Sequence, residues 1–303
     1  MGRKGTDPRW YLGTKASFPL DRLNPKVYKT AHFCSARGCL MQVTRIATLF
    51  LGSLLISLPV VAQQPAPAAP RDAQAVLVLQ RSLAALAGTA PVTDVTLTGT
   101  VTRIAGSDND SGTVTLKATT VGQARIDLNL PSGPRSEVID VSQASPTGSW
   151  SGPDGTWHPV APHNLLGDPS WFFPTFLIHR VLSAPSYVVS PMDAETMDGV
   201  AVEHLKIYQQ SGPPSQQAAL SQIDIYLNAS TLLPVAILFN AHPDDDALVN
   251  IPTQIKFSNY QVVQGASVPY HIQKYIQSGL ALDVMVTGAQ VNSGLSATDF
   301  QAQ

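Results

Sequence analysis

Cysteine is almost missing from this sequence of 303 residues, which contains only Cys34 and Cys39. Both precede Met41, the residue at which we expect translation to start. The chain after that point can therefore form no disulfide and no metal site with thiolate ligands. Its length is still sufficient to bury a substantial core without cross-links.

A hydrophobic run long enough to span a membrane is also missing. The longest apolar run, 46–62, has 17 residues and contains Pro59, whereas a spanning helix needs about 20. Arg45 before this run and the small residues that end it are typical of a signal peptide. We predict a signal peptide over 41–62 that is cleaved after Ala62, with an uncleaved membrane anchor as the alternative.

The signal peptide divides the chain into four predicted parts. Residues 1–40 are a disordered leader or the product of a start codon placed too early, and 41–62 are the signal. Residues 63–70, QQPAPAAP, form an extended Pro/Ala linker. Residues 71–303 contain no internal repeat and no second hydrophobic pattern, which predicts a single domain. We expect the mature protein to be periplasmic or secreted.

Basic residues are scarce in the part of the chain that we expect to be mature. Nine of the 19 Lys and Arg residues precede Gln63, but only two of the 21 Asp and Glu residues do. The net charge of −2 for the whole chain therefore becomes −9 for 63–303. Phosphate backbones and anionic membrane surfaces repel a negative protein. We predict no nucleic-acid partner and at most a transient contact with membranes.

The motifs of common catalytic sites are missing as well. There is no HExxH, phosphate-binding loop or GxGxxG, and GSWSG (148–152) has Trp150 where a nucleophile elbow has serine. The run HPDDD (242–246) lies between two predicted strands, where a solvated loop is favoured over a cation site. The sequence therefore predicts no catalytic residue, no metal site and no cofactor. A serine, a histidine and an aspartate that meet only in the folded chain would still make an exported hydrolase.

The sequence does contain one amphipathic helix followed by a long series of strands. Val76, Leu79, Leu83 and Leu86 recur at helical spacing, and Asp72 is placed to cap the helix. In the strands that follow, apolar residues alternate with polar ones and turn residues separate the runs. This pattern is typical of an antiparallel sheet with one polar face.

A Pro-Asp-Gly turn in SWSGPDGTWH (149–158) predicts a hairpin. Two tryptophans, Trp150 and Trp157, flank the turn. We interpret them as a cross-strand aromatic pair that stabilises the hairpin.

The segment GDPSWFFPTFLIHRVL (167–182) interrupts the strand pattern and is the most aromatic part of the chain. Asp168 and Pro169 predict the start of a helix there, and Pro174 is expected to end or kink its first turn. One interpretation is a helix packed on the sheet as core, and the other is a lid over an apolar cavity. The lid or wall residues would be Trp171, Phe172, Phe173, Phe176 and Leu177.

Three further motifs lie in the strand-rich part of the chain. They are a strand–turn–Leu-Pro–strand hairpin at Leu233-Pro234, a Gly-x-x-x-Pro hairpin whose turn we assign to Gly265 and Pro269, and the ending VNSGL (291–295) with Phe300. In this order they resemble the LolA-like superfamily of periplasmic lipoprotein and lipid carriers. The resemblance covers nearly all of 72–303 and is carried by structural motifs.

The resemblance implies an α+β fold with a curved antiparallel sheet, an incomplete barrel whose concave face is covered by helices. It also implies an apolar cavity that accepts acyl chains. The sheet residues expected to line that cavity are Leu97, Leu116, Ile126 and Leu128. Together with the aromatic residues of 171–177 they are the predicted ligand-binding residues.

We therefore predict an exported, soluble, monomeric protein that binds or carries a lipid, a lipoprotein acyl chain or another apolar small molecule without catalysis. Lipoproteins or other envelope proteins are its expected macromolecular partners. An alternative is a structural or assembly protein of the cell envelope whose own helices fill the sheet. A third is an exported hydrolase with a non-standard site. A continuous apolar cavity favours the carrier, and a filled core favours the assembly protein.

Overall fold

The computed structural model describes residues 69–210 and 214–302, without the side chains of Asp108, Pro214 and Ser215. The predicted leader and signal peptide lie outside these residues, as does most of the predicted linker. No helix within the described ranges is both long and apolar enough to cross a membrane.

The chain begins with one helix and continues as strands that two further helices interrupt. The α-helices are α1 (Ala73–Ala87), α2 (Pro174–Ser183) and α3 (Pro214–Ser221), and two 3₁₀ helices span Pro162–Leu166 and Ala297–Phe300. The strands are β1 (Asp94–Ala105), β2 (Asp108–Thr119), β3 (Gln123–Leu130), β4 (Gly133–Asp140), β5 (Thr147–Ser151), β6 (Trp157–Pro159), β7 (Tyr187–Pro191), β8 (Glu195–Met197), β9 (Val200–Gln209), β10 (Ile223–Asn228), β11 (Pro234–Ala241), β12 (Ile251–Val263), β13 (Ala266–Ile276) and β14 (Gly279–Val291).

These strands form one antiparallel sheet. Its order is β6-β5-β4-β3-β2-β1-β14-β13-β12-β11-β10-β9-β7, and β8 pairs with β9. The sheet is open, and α1 and α2 pack on one of its faces. The predicted fold class is confirmed: the protein is α+β, with an antiparallel sheet that does not close and helices that cover it.

The two ends of this strand order, β6 and β7, are consecutive along the chain. The connecting segment 160–186 must therefore run from one edge of the sheet to the other. It carries the 3₁₀ helix Pro162–Leu166 and α2, and its apolar residues join the main core. This connection places the most aromatic part of the sequence over the sheet.

We call the sheet face that α1 and α2 cover the inner face. Leu97, Leu116 and Ile126 lie directly opposite one another on β1, β2 and β3 and belong to the main apolar cluster. Since successive residues of a strand point to opposite faces, the polar residues between them lie on the outer face. The outer face has only a small apolar cluster, built on Val202, Tyr226 and Ala236.

Helix α1 begins and ends as its sequence predicts. The Asp72 carboxylate accepts a hydrogen bond from the backbone N–H of Ala75 at 2.8 Å, which satisfies a donor that the helix itself leaves unpaired. Gly88 follows the last turn with a φ of 65°. A Cβ at this position would collide with the carbonyl of Gly265, so glycine is required where the β12–β13 turn touches the helix.

Two local predictions about proline are wrong. Pro174 neither ends nor kinks a helix that starts near Asp168; it is the first residue of α2, where no intrahelical N–H bond is lost. Pro269 does not set its turn, because it lies within β13. The turn is formed by Gln264 and Gly265, whose φ values of 49° and 87° fit a two-residue hairpin loop.

The predicted pair of tryptophans on the β5–β6 hairpin is also wrong, although the hairpin itself forms. Trp150 lies opposite His158 and stacks on it with 4.5 Å between ring centroids, whereas Trp157 lies opposite Ser151. This one-residue difference in register puts the two indole rings on opposite faces of the sheet.

Candidate functional site

The aromatic segment, which we define as residues 171–177, lies on the inner face. Trp171 is 5% exposed, and Phe172, Phe173 and Phe176 are fully buried. The rings meet edge to face, with 5.7 Å between the centroids of Trp171 and Phe172 and 4.8 Å between those of Phe173 and Phe176. Contacts of this geometry favour one arrangement of the rings, so the segment is a packed layer and not a loose loop.

The structure brings all nine predicted ligand-binding residues into one apolar cluster. From the sheet come Leu97, Leu116, Ile126 and Leu128, each at most 3% exposed, and from the connecting segment come Trp171, Phe172, Phe173, Phe176 and Leu177. In this state the aromatic rings fill the space above the sheet residues. Their role in ligand binding stays a prediction.

A buried ion pair holds the start of the aromatic segment to α2. Arg180 donates a hydrogen bond to Asp168 at 2.7 Å, and the Asp168 side chain is 2% exposed. The same carboxylate oxygen accepts from the backbone N–H and the hydroxyl of Ser170 at 2.9 and 2.8 Å. Burial alone would lower the pKa of Arg180, but the adjacent carboxylate outweighs it and raises the pKa. We call this pair the Asp168–Arg180 latch.

A second contact holds the other end of α2. The Arg71 guanidinium donates hydrogen bonds to the carbonyls of Val181 at 3.0 Å and Ala184 at 3.4 Å. These carbonyls belong to the last turn and the end of α2, where helical partners run out and a cation is favourable. Because Arg71 immediately precedes the N-cap of α1, it ties the two covering helices together.

A lysine is also buried on the inner face. Lys274 on β13 is 4% exposed, and its ammonium group lies 4.4 Å from the ring centroid of Trp171. Burial lowers the pKa of Lys274 to about 8, and Glu137 opposes that shift. Glu137 is on β4, far from β13 in the strand order, so the two charges interact across the inner face and not along the sheet.

A small, partly open cavity lies beside Trp171, and we call it the polar cavity. Its volume is about 60 Å³, and it extends between β4 and β5 on one side and β11 on the other. The polar groups that border it include Glu137, Trp150, Asp168, Trp171 and His242.

The rim of the polar cavity is closed by hydrogen bonds between two loops. His163 Nε2 lies 2.8 Å from the carbonyl of Pro243, and Asn164 exchanges hydrogen bonds of 3.0 and 3.2 Å with the backbone of His242. The run HPDDD is therefore not the wholly solvated loop that we predicted, since His242 is 4% exposed. The described residues contain no group of three or more side chains placed to hold a metal ion.

An apolar groove of about 350 Å³ lies at the C-terminal end of α1. Leu83, Ala87 and Val92 line one side of it, and Thr175 and His179 of α2 line the other. The groove is therefore an opening between the two helices that cover the inner face.

The outer face carries a serine, a histidine and an aspartate in line. His271 lies 3.2 Å from the Ser258 hydroxyl through Nδ1 and 2.6 Å from Asp283 through Nε2. These side chains stand on neighbouring strands β12, β13 and β14 and are partly exposed. The arrangement has the contacts of a catalytic triad, and none of the cavities described above borders it.

Comparison with known proteins defines the fold. No protein-family model and no curated protein matches the sequence. The chain is similar to the crystal structure of a domain from Vibrio parahaemolyticus described as an outer membrane lipoprotein-sorting protein, with a TM-score of 0.50 and 13% identity over 75% of this chain and 96% of that one. The predicted LolA-like fold is confirmed, and identity at this level defines the fold alone.

Two further solved structures have TM-scores of 0.49. A LolA superfamily protein from Nitrosomonas europaea is 12% identical over 75% of this chain and 97% of its own. A DUF1329 family protein from Desulfovibrio piger is 13% identical over 75% of this chain and 96% of its own.

Several residues of the site were not predicted from the sequence. Lys274 could have been found, because Val268, Ile272 and Lys274 share one face of β13 by simple alternation. Alternation along a single strand could not have shown that Trp150 and His242 border the same cavity. They meet only because the segment 160–186 joins the two edges of the sheet.

Proposed function

We propose that this protein is an exported carrier that binds the acyl chain of a lipid or lipoprotein on its inner face, without catalysis. The observation that carries the proposal is that the inner face is largely apolar and, within the described residues, is covered by two helices and the aromatic segment. A cover of this kind can separate from the sheet without breaking the hydrogen bonds between strands. The similar domain from Vibrio parahaemolyticus is described as a lipoprotein-sorting protein, which is in line with this role.

The energetics of such binding favour long chains. Burying an acyl chain contributes about 0.8 kcal/mol per CH₂ group, whereas exposing an aromatic side chain costs roughly 1.5–3 kcal/mol. A ligand that displaces Phe172, Phe173 and Phe176 must therefore bury on the order of ten CH₂ groups before binding is favourable. We expect affinity to rise steeply with chain length and to vanish for short chains.

The cellular setting that fits this role is the periplasm or the exterior of the cell, where a carrier moves acyl chains through water. The net charge of −9 over 63–303 disfavours lasting contact with anionic membranes. We therefore expect a monomer that meets lipoproteins or membranes transiently.

A second candidate is a structural or assembly protein of the cell envelope. The observation that favours it is the complete burial of Phe172, Phe173 and Phe176, which fill the inner face. In this case the cover would never separate from the sheet, and truncating one of these rings would only weaken the fold.

Native mass spectrometry of the purified protein, followed by titration with fatty acids of increasing length, tests the proposal. We expect co-purified lipid or uptake of long-chain fatty acids. The variant Phe176→Ala should bind them more tightly, since less apolar surface has to be displaced. Tyr226→Ala removes a buried ring from the outer face and serves as the matched control, with lower stability and unchanged binding.

The two candidates predict different results in these variants. Absence of co-purified lipid and of uptake at every chain length, in wild type and in Phe176→Ala alike, would contradict the carrier and support the assembly protein.

A further inference from the structure

Several residues that border the polar cavity have a buried polar atom without a hydrogen-bond partner in the protein. Four of the residues that border it each have one such atom: Trp150 Nε1, Trp171 Nε1, Asp168 Oδ2 and His242 Nε2. Trp150, Trp171 and His242 are 3–5% exposed, and the Asp168 side chain is 2% exposed. Each unmet polar atom in such a place destabilises the fold, so groups that satisfy it are bound favourably.

Two of these four atoms are hydrogen-bond donors and two are acceptors. An indole nitrogen only donates, so Trp150 and Trp171 each require an acceptor. The second oxygen of Asp168 requires a donor, because the latch to Arg180 and Ser170 uses the first oxygen alone.

The role of His242 follows from its other nitrogen. Its Nδ1 lies 3.0 Å from the carbonyl of Val249, and since a carbonyl can only accept, Nδ1 carries the hydrogen. Burial lowers the pKa of His242, which keeps the ring neutral near pH 7. Nε2 is therefore an acceptor that requires a donor.

A hydroxyl group accepts from one neighbour and donates to another, so two hydroxyls match two donors and two acceptors. A carboxylate or phosphate can only accept, and it would lie near Asp168 and Glu137. A volume of about 60 Å³ holds roughly two to four water-sized groups, which suits the end of a glyceryl head and excludes an acyl chain.

We infer that the polar cavity is the head-group site of the carrier, and that it selects an uncharged amphiphile whose head bears hydroxyl groups, such as an acylglycerol. This inference rests on the proposed function, since the acyl chain would lie on the inner face beneath the aromatic segment. Trp171 belongs both to the cavity wall and to that segment, where it packs against Phe172. It is therefore the residue at which head and chain would meet.

Three ligands with the same chain length separate the possibilities. We would compare 1-monooleoylglycerol, oleate and 1-octadecene, supplied from cyclodextrin as an equimolar mixture, and read the bound ratio by native mass spectrometry. We expect monooleoylglycerol to exceed octadecene by on the order of 10-fold or more, as hydrogen bonds to otherwise unmet buried groups would provide. Oleate should bind more weakly than monooleoylglycerol.

Tryptophan variants connect this preference to the cavity. Trp150→Phe and Trp171→Phe each remove one donor and keep an aromatic ring, and each should reduce the preference for monooleoylglycerol over octadecene several-fold. Trp157→Phe makes the same change on the opposite face of the β5–β6 hairpin and should leave the ratio unchanged. If Trp171→Phe does not fold, Trp150→Phe alone carries the test, because it lies outside the aromatic segment.

The possible outcomes test the head-group site and the carrier function separately. Equal binding of monooleoylglycerol and octadecene, unaltered by the variants, would mean that the cavity holds ordered water only, and would overturn the head-group site while the carrier stands. A preference for oleate would overturn the uncharged head. Binding of none of the three ligands would overturn the carrier itself.

Discussion

The two faces of this sheet contain polar groups of the same types, but the groups differ in whether they have hydrogen-bond partners in the protein. On the outer face, His204 lies 2.7 Å from Glu195 and 2.9 Å from Asp224, and His271 is held between Ser258 and Asp283. On the inner face, two buried indole nitrogens, one carboxylate oxygen and one imidazole nitrogen have no hydrogen-bond partner in the protein. Polar groups that are hydrogen-bonded to one another on an open surface need no ligand, whereas buried groups without partners bind one favourably. This difference supports our proposal that a ligand binds on the inner face.

The largest expected contrast between the faces is in their ion pairs. Asp168→Asn breaks the buried latch to Arg180 and should lower the free energy of unfolding by about 3–5 kcal/mol, since it leaves a buried guanidinium without its counter-ion. Asp198→Asn breaks a pair to Lys256 of similar length, 2.6 Å, in which the aspartate side chain is 66% exposed. It should cost at most about 1 kcal/mol. Urea denaturation of both variants measures the contrast, and equal losses would contradict it.

Truncation of a side chain should also destabilise the protein more on the inner face than on the outer face. Leu116→Ala on the inner face should lower the free energy of unfolding by about 2–5 kcal/mol, because it opens a cavity in a packed core. Thr113→Ala lies on the outer side of the same strand, is exposed, and should change stability by less than about 0.5 kcal/mol. Thermal or urea unfolding of each variant provides the measurement. A comparable loss in Thr113→Ala would show that the outer face is covered as well.

The buried lysine predicts an unusual dependence of stability on pH. The pKa of Lys274 is about 8 in the folded protein and 10.5 ordinarily, so the folded protein releases this proton first. Stability should therefore rise between about pH 8 and 10.5, by on the order of 3 kcal/mol, with no contribution from this group to the slope below pH 8. Lys274→Met should remove this rise.

Tyrosines act in the opposite direction in the same experiment. Burial raises the pKa of Tyr226 to about 12 and that of Tyr260 well above 10, so their contribution to stability is lost above about pH 10. Because wild type and Lys274→Met share these tyrosines, the difference between their stability curves isolates the lysine. Parallel curves from pH 8 to pH 10 would contradict its burial in the unprotonated form.

The smallest expected effect concerns the triad on the outer face. Ser258→Ala should change the free energy of unfolding by less than about 0.5 kcal/mol, as for an exposed residue. Hydrolysis of p-nitrophenyl esters by the purified protein should be the same before and after the substitution. Esterase activity that is present in the wild type and disappears in Ser258→Ala would support the alternative that the protein is an exported hydrolase.

The parts of the fold that could be predicted are those specified by local sequence. Strand β3 alternates without a break from Ala124 to Leu130, and α1 carries its own caps at Asp72 and Gly88. The register of the β5–β6 hairpin could not be read from composition, since shifting a strand by one residue exchanges its faces. On β9, which pairs regularly with β10, Val202 and Leu205 belong to apolar clusters on opposite faces, and their spacing alone does not assign either residue to its face.

The candidate site was predictable only in its apolar half. Aromatic residues that are close together in sequence, such as Phe172, Phe173 and Phe176, can be recognised as a cluster from the sequence itself. The polar cavity combines Trp150 from a hairpin with His242 from a distant loop, and only the path of 160–186 from one sheet edge to the other brings them together. The path of this segment across the sheet cannot be read from the sequence alone.

Photo-crosslinking with a long-chain fatty acid that carries a diazirine at the middle of its chain would show directly where an acyl chain binds. The label reacts with whatever surrounds the bound chain, and peptide mass spectrometry locates the modified residues. We predict modification of the aromatic segment 171–177 and of inner-face residues such as Leu116 and Leu128, with competition by unlabelled fatty acid. Modification restricted to the outer face, or modification that unlabelled fatty acid does not reduce, would contradict binding on the inner face.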